Sequence, residues 1–165
     1  MLPTNLIRLS GLASILAGVM FLDAELLNTF VIPDSLSAAF DDLGGIATTN
    51  GFFFQSLITL LAGMLLLVAL IGFYVTQSEA AGKLGAVGVL IAYVGTILMV
   101  GDFYANTFVT PLVASNVPEY LSRYEAGLLR LWFPVEFGFF TFSWFLFAIA
   151  TLKARVYPGG PLYYS

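Results

Sequence analysis

The chain contains no cysteine and no histidine. Without cysteine there is no disulfide bond and no thiolate nucleophile, and without either residue type there is no Cys/His zinc site. Histidine-dependent catalysis and histidine ligation of haem are excluded as well. A metal site would have to use oxygen ligands alone, which favour hard cations. We predict no metal site and no cofactor.

Charged residues are also scarce: they make up 10% of the 165 residues, whereas hydrophobic residues make up 59%. A soluble domain carries about a quarter charged residues, so this chain could not cover a globule with polar surface. The net charge is −4, and the six Lys and Arg residues form no basic patch of the kind that binds nucleic acid. The composition predicts an integral membrane protein in a lipid bilayer, without a nucleic-acid partner.

Four apolar stretches are each long enough to cross a bilayer, which takes about 20 residues. They run over residues 6–30, 52–76, 84–108 and 128–152. Pro33, Gly82, Pro111 and Pro118 lie at the breaks between them. The first stretch follows Arg8 and continues past Asp23, so we interpret it as a retained helix and not as a cleaved signal peptide. The sequence predicts an all-α bundle of four transmembrane helices, arranged as two hairpins in series.

Positive charges in the short loops predict the orientation of the bundle. One side receives Arg8, Lys83, Lys153 and Arg155, and the other side receives Arg123 and Arg130. Because the side richer in Lys and Arg faces the cytoplasm, we predict that both termini are cytoplasmic.

One seven-residue pattern occurs twice. Gly11, Gly18 and Glu25 correspond to Gly88, Gly95 and Asp102 at an offset of 77 residues. Each set is followed by Asn-Thr-Phe-Val-x-Pro, at 28–33 and at 106–111, where the offset is 78. We predict a parallel duplication of a two-helix unit, over 6–77 and 83–155, with chance similarity between apolar helices as the alternative. A spacing of seven keeps each set on one helix face, so the four glycines are predicted to pack the first span against the third.

The chain also resembles a widespread group of uncharacterised bacterial membrane proteins with about six spans. The resemblance is carried by Arg8 to Leu22, by the Phe-Val-x-Pro exit at Phe108 to Pro111, and by the basic stretch Lys153 to Pro158. It implies a membrane-helix fold in a bacterial inner membrane, and it implies no activity, because that group has none assigned. Four spans instead of six predict either a shortened relative or a piece of a longer chain.

Four acids fall inside the predicted spans, namely Asp23, Glu25, Asp102 and Glu136. At 1.5 Å per residue, Asp23 lies about 15 Å below Pro33, and Asp102 lies about 13 Å below Pro111. Their similar depth predicts that the acids line one outward-facing polar pocket. A charged side chain in hydrocarbon costs several kcal/mol, so this pocket is expected to take a proton or a hard cation.

Asn28 and Asn106 are expected to complete this pocket, and Arg130 is the nearest cation to Glu136 along the sequence. The alternative is that the acids are hydrated near the surface, or that they hydrogen-bond neighbouring helices.

Two functions follow from these patterns. The first is a small non-catalytic accessory or structural subunit of a larger membrane complex, because a four-span bundle with short loops encloses little and its faces suit other membrane subunits. The second is a transport or cation- or proton-binding protein that uses the intramembrane acids. An enzyme ranks last, because no loop carries a paired carboxylate or a phosphate-binding glycine motif. We therefore predict no enzymatic activity.

Overall fold

The structure is a computed structural model that describes residues 4–30, 43–121 and 131–154, with side chains except at 4, 77–81, 84, 132–133 and 154. These ranges are almost entirely helical and contain no strand. The helices are α1 (Thr4–Phe30), α2 (Leu43–Ala47), α3 (Asn50–Tyr104), α4 (Thr110–Asn116) and α5 (Trp132–Ala154). A π-helical turn at Ala105–Val109, here called the π turn, joins α3 to α4.

Four segments of these helices are long and apolar enough to cross a membrane. They are Asn5–Phe30, Asn50–Thr76, Gly85–Asn116 and Pro134–Lys153, here called spans one to four. The predicted all-α fold with four membrane spans is confirmed.

Gly82 divides the 55-residue helix α3 into spans two and three. Its backbone has φ 53° and ψ −145°, a conformation that is almost confined to glycine because a Cβ would clash with the backbone. The two spans then lie side by side and antiparallel, since a Cβ placed on Gly63 would lie 2.7 Å from Cγ2 of Val100. Gly82 is therefore the turn of a helical hairpin.

Thr49 fixes the start of this hairpin. Its backbone is extended, with φ −83° and ψ 146°, and the backbone N–H of Phe52 donates to its side-chain oxygen at 3.2 Å. Threonine in this position satisfies one of the four N–H groups that a helix leaves without an internal partner.

Span one packs against both arms of the hairpin through small residues. The buried residues of α1 are Ser10, Ala13, Ala17 and Ala24. A Cβ placed on Gly72 would overlap Ser10, so only glycine fits at this contact between spans one and two. The ring of Phe21 lies 6.4 Å from that of Phe103, which brings span one against span three as well.

Span four packs on the hairpin too. Leu70, Val89, Ala92 and Phe147 form one buried cluster, to which spans two, three and four all contribute. The rings of Phe73 and Phe147 lie 6.0 Å apart. Spans two and three each contact both span one and span four, so the hairpin is the centre of the bundle.

Span three continues beyond Pro111 to Asn116, so the predicted end at residue 108 was wrong. The helix runs through the π turn into α4 and stops at Asn116. Pro111 lies in the first turn of α4, where its missing N–H and its fixed φ are tolerated. Beyond it, Ala47, Ala114 and Leu121 form a second buried cluster at the α2 end of the bundle.

Candidate functional site: carboxylates within the spans

The two acids of span one are both exposed. Because they are two residues apart, Asp23 and Glu25 point about 200° apart around the helix. Glu25 shares its face with Gly11 and Gly18, and a Cβ placed on either glycine would meet nothing within 4 Å. Within the described part of the chain this face, here called the glycine face of α1, is uncovered.

The prediction that Gly11 and Gly18 pack span one against span three is therefore wrong. The stripe that packs is the adjacent one, formed by Ser10, Ala17 and Ala24, which has the same spacing of seven residues. Packing through this stripe leaves the Glu25 carboxylate outside the contact between α1 and the hairpin.

Gly88 and Gly95 lie at a helix contact, but their neighbour is span four and not span one as predicted. A Cβ placed on Gly88 would lie 3.5 Å from Cβ of Ala150, and one placed on Gly95 would lie 3.4 Å from Cβ of Ser143. Moving seven residues along span three therefore corresponds to moving seven residues back along span four.

The same register brings Asp102 level with Glu136. These residues lie one further step of seven beyond Gly95 and Ser143, so the same register predicts that they lie on the sides of the two helices that face each other. Glu136 is 5% exposed, and Asp102 is half-buried. We infer from this register that each helix contributes one carboxyl group to the interface of spans three and four.

A ladder of side-chain hydrogen bonds extends from Asp102 along span three. Nδ2 of Asn106 donates to Oδ2 of Asp102 at 2.9 Å. Oγ1 of Thr110 donates to Oδ1 of Asn106 at 3.3 Å. Each step spans four residues, and the ladder crosses the π turn. The ladder fixes the orientation of the Asn106 amide, because its nitrogen donates to the Asp102 carboxylate and its oxygen accepts from Thr110.

The structure divides the four acids into two sets and does not gather them in one pocket. Glu136 is buried on span four and Asp102 is half-buried on span three, whereas Asp23 and Glu25 lie on exposed parts of α1. Among the described residues, no group of three or more acids is placed to hold a metal ion. Depth in the membrane does not determine the direction in which a side chain points around its helix. The two sets of acids differ in this direction.

The remaining predicted residues follow the same division. Asn28 is half-buried on α1, three residues after Glu25, and Asn106 belongs to the ladder on span three. Arg130, considered as a partner for Glu136, lies outside the described residues.

Sequence reasoning missed one polar contact between helices. Nε1 of Trp144 donates to Oγ1 of Thr96 at 3.2 Å, and Thr96 in turn donates to the carbonyl oxygen of Ala92 at 2.7 Å. Thr96 is 1% exposed and follows Gly95 directly. A threonine beside a glycine that packs on another helix indicates such a hydrogen bond, because a polar group buried among apolar helices needs a partner.

Two chemically different features result. The interface of spans three and four offers oxygen atoms that can bind a proton or a hard cation, and it offers no thiol and no imidazole. The glycine face of α1 offers one carboxylate beside two positions that allow close approach of a helix.

No family model, no curated protein and no solved structure matches this chain. The resemblance to the six-span bacterial proteins therefore stays a prediction, and function has to be argued from the geometry of these two features.

Proposed function

We propose that the protein is a small non-catalytic subunit of a larger membrane complex, and that a partner subunit packs on the glycine face of α1. The observation that carries this proposal is the exposure of Glu25 inside a membrane span, in line with two glycines whose surroundings are open.

The cost of an uncovered carboxylate supports a partner at this face. Glu25 lies five residues, or about 8 Å, from the end of α1 at Phe30. A charged acid inside a membrane span is costly unless it has a partner, and the cost falls from the centre of the span toward its ends. A side chain of a neighbouring subunit that donates hydrogen bonds to Glu25 would offset this cost, whereas lipid tails offer no donor.

The bundle contains its own example of a helix docked on this glycine spacing. Span four comes so close to span three at Gly88 and Gly95 that added Cβ atoms would lie 3.4–3.5 Å from Cβ atoms of span four. The side chains of span four that lie nearest these glycines are small, Ser143 and Ala150, and the other near atoms belong to its backbone. The partner expected at Gly11 and Gly18 is likewise a spanning helix with small residues in its contact, and it carries a hydrogen-bond donor level with Glu25.

Site-specific photocrosslinking in the native membrane tests the proposal. A photoreactive phenylalanine analogue at Leu22, which is 61% exposed and lies one helical turn after Gly18 beside the glycine face, is expected to capture one defined membrane protein. The matched control position is Phe142, which is 56% exposed on span four and is expected to face lipid. Lipid adducts alone at both positions, or the same protein adducts at both, would contradict a partner at the glycine face.

A second function is favoured by the register of spans three and four, which brings Asp102 level with Glu136. We propose as the alternative that these two carboxyl groups bind one proton between them, or a hard cation. Two carboxylates at close range in an apolar surrounding repel each other unless a bound positive charge separates them. Asn106 and Thr110 supply further oxygen and amide groups on the same helix.

Infrared spectroscopy of the purified protein distinguishes this alternative. At neutral pH the wild type is expected to show the carbonyl stretch of a protonated carboxyl, and the double variant Asp102→Asn/Glu136→Gln is expected to lose it. The control Asp23→Asn/Glu25→Gln removes the same number of acids from α1 and should leave the band unchanged. The alternative is contradicted if the wild type lacks this band and if added hard cations do not shift its carboxylate bands. The pair then binds neither a proton nor a cation.

A further inference from the structure

The π turn is the one place where the described part of span three departs from regular helix. The N–H of Thr110 donates to the carbonyl oxygen of Ala105, five residues back, where an α-helix would use four. Tyr104 before it and Thr110 after it have ordinary helical dihedral angles, with φ of −61° and −59°. A turn of this kind holds one residue more than the α-helix that surrounds it.

The sequence repeat changes its offset at the same place. The glycines and the acid correspond at an offset of 77, and the Asn-Thr-Phe-Val-x-Pro segments correspond at an offset of 78. Glu25 and Asn28 are three residues apart, whereas Asp102 and Asn106 are four apart. The second copy therefore has one residue more than the first, between Asp102 and Asn106.

The first copy serves as the reference for this comparison. The stretch from Glu25 to Phe30 is ordinary α-helix, within the uninterrupted α1. Its counterpart in span three is the stretch that contains the extra residue and the π turn. The offset is a property of the residue spacing and the turn is a property of the backbone hydrogen bonds, and the two fall in the same segment.

We propose that the π turn is the site of a single-residue insertion into the second copy of a duplicated two-helix unit. The inference does not depend on either proposed function. One residue added to a continuous α-helix would rotate everything beyond it by about 100°, whereas a π turn absorbs the residue locally. The part of span three before the turn then keeps its contacts with spans two and four, and α4 after the turn keeps its place in the buried cluster with Ala47.

The hydrogen-bonded ladder lies in the same segment. Asn106 donates to Asp102 at 2.9 Å across the spacing of four residues that contains the extra residue.

Deleting Ala105 tests this inference, with deletion of Leu98 as the matched control in regular helix of the same span. The readouts are two cysteine pairs, which form only designed disulfides because the chain has no cysteine of its own. Gly63→Cys/Val100→Cys lies below the turn, where a Cβ placed on Gly63 would be 3.9 Å from Cβ of Val100. Ala47→Cys/Ala114→Cys lies above the turn, within one buried cluster.

Deletion of Ala105 is expected to leave both cross-links in place, because it removes only the extra residue. Deletion of Leu98 is expected to lose at least one, since either the segment around Val100 or the segment around Ala114 is rotated by about 100°. Loss of either cross-link, or failure to fold, after deletion of Ala105 would overturn the insertion.

The variant Pro111→Ala excludes the other cause of a π turn, namely relief of a clash between the proline ring and the preceding turn. Backbone chemical shifts from NMR are expected to show the π turn in Pro111→Ala and regular helix after deletion of Ala105. A regular helix in Pro111→Ala would show that the proline, and not an extra residue, makes the turn.

Discussion

Glycine has three different surroundings in this bundle, and each gives a different response to an added side chain. At Gly95 the neighbouring helix leaves no room, since an added Cβ would lie 2.6 Å from Oγ of Ser143 and 3.3 Å from Cα of Phe140. At Gly82 there is room, but the backbone conformation excludes other residues. At Gly101 and Gly18 the helix is regular and the space is open.

We predict that Gly95→Leu destabilises the bundle by about 1–3 kcal/mol or more, because the leucine pushes span four away from span three. The matched control is Gly101→Leu, six residues along the same helix, where an added Cβ meets nothing within 4 Å. Unfolding of both variants in detergent micelles measures the difference. Equal stability of the two variants would show that span four does not pack at Gly95.

Gly82→Ala is expected to cost about 1–3 kcal/mol, although the alanine meets no neighbour, because its backbone would be held in a conformation that only glycine adopts readily. The control Gly101→Ala should gain about 0.5–1 kcal/mol, as glycine-to-alanine changes in regular helix do. The same unfolding assay applies. A gain in stability at Gly82 would mean that the hairpin turns elsewhere.

At the scale of the helix, α1 shows what a single sequence can and cannot predict. Its length and its four-span context could be predicted, because hydropathy and the breaks at Gly82 and Pro33 are local properties. Its packing face could not be predicted from spacing alone, since Ser10, Ala17 and Ala24 repeat at the same interval as Gly11, Gly18 and Glu25. The choice between two adjacent stripes depends on which neighbour each one meets.

The pairing of carboxyl groups shows the same limit in a second element. The depth of Asp102 and of Glu136 could be estimated from the rise per residue. That they face each other follows only from the contacts of Gly88 with Ala150 and of Gly95 with Ser143, which set the register of two helices. The extension of span three past Pro111 was hidden as well, because a proline is tolerated in the first turn of a following helix.

Adjacent residues on α1 give a sharp test at this scale. Ala17 is fully buried against α3, whereas Gly18 is open. Ala17→Leu is expected to lose about 1–3 kcal/mol, because the larger side chain separates α1 from the hairpin. Gly18→Leu is expected to keep or raise the stability of the isolated chain, since leucine is the better helix former by about 0.8 kcal/mol.

Unfolding of the two purified variants in the same detergent compares them directly. A stable Ala17→Leu together with an unstable Gly18→Leu would mean that the glycine face is the inner face of α1.

For the whole molecule, the central hairpin of spans two and three holds a flanking span on each side, and the acids are distributed accordingly. Glu136 is buried and Asp102 is half-buried on the spans that pack against each other, three and four. Glu25 lies on the outside of span one, beside glycines that no part of the described chain covers. This asymmetry between the two halves is the basis for proposing a partner subunit at span one.

Native mass spectrometry of the protein extracted gently from its own membrane, wild type beside Gly18→Leu, tests this proposal most directly. We expect the wild type to be released with a fixed set of larger subunits, and Gly18→Leu to be released as a folded chain without them, because the leucine blocks the glycine face. A wild-type protein released alone, or a Gly18→Leu protein that keeps the same subunits, would contradict a partner at this face.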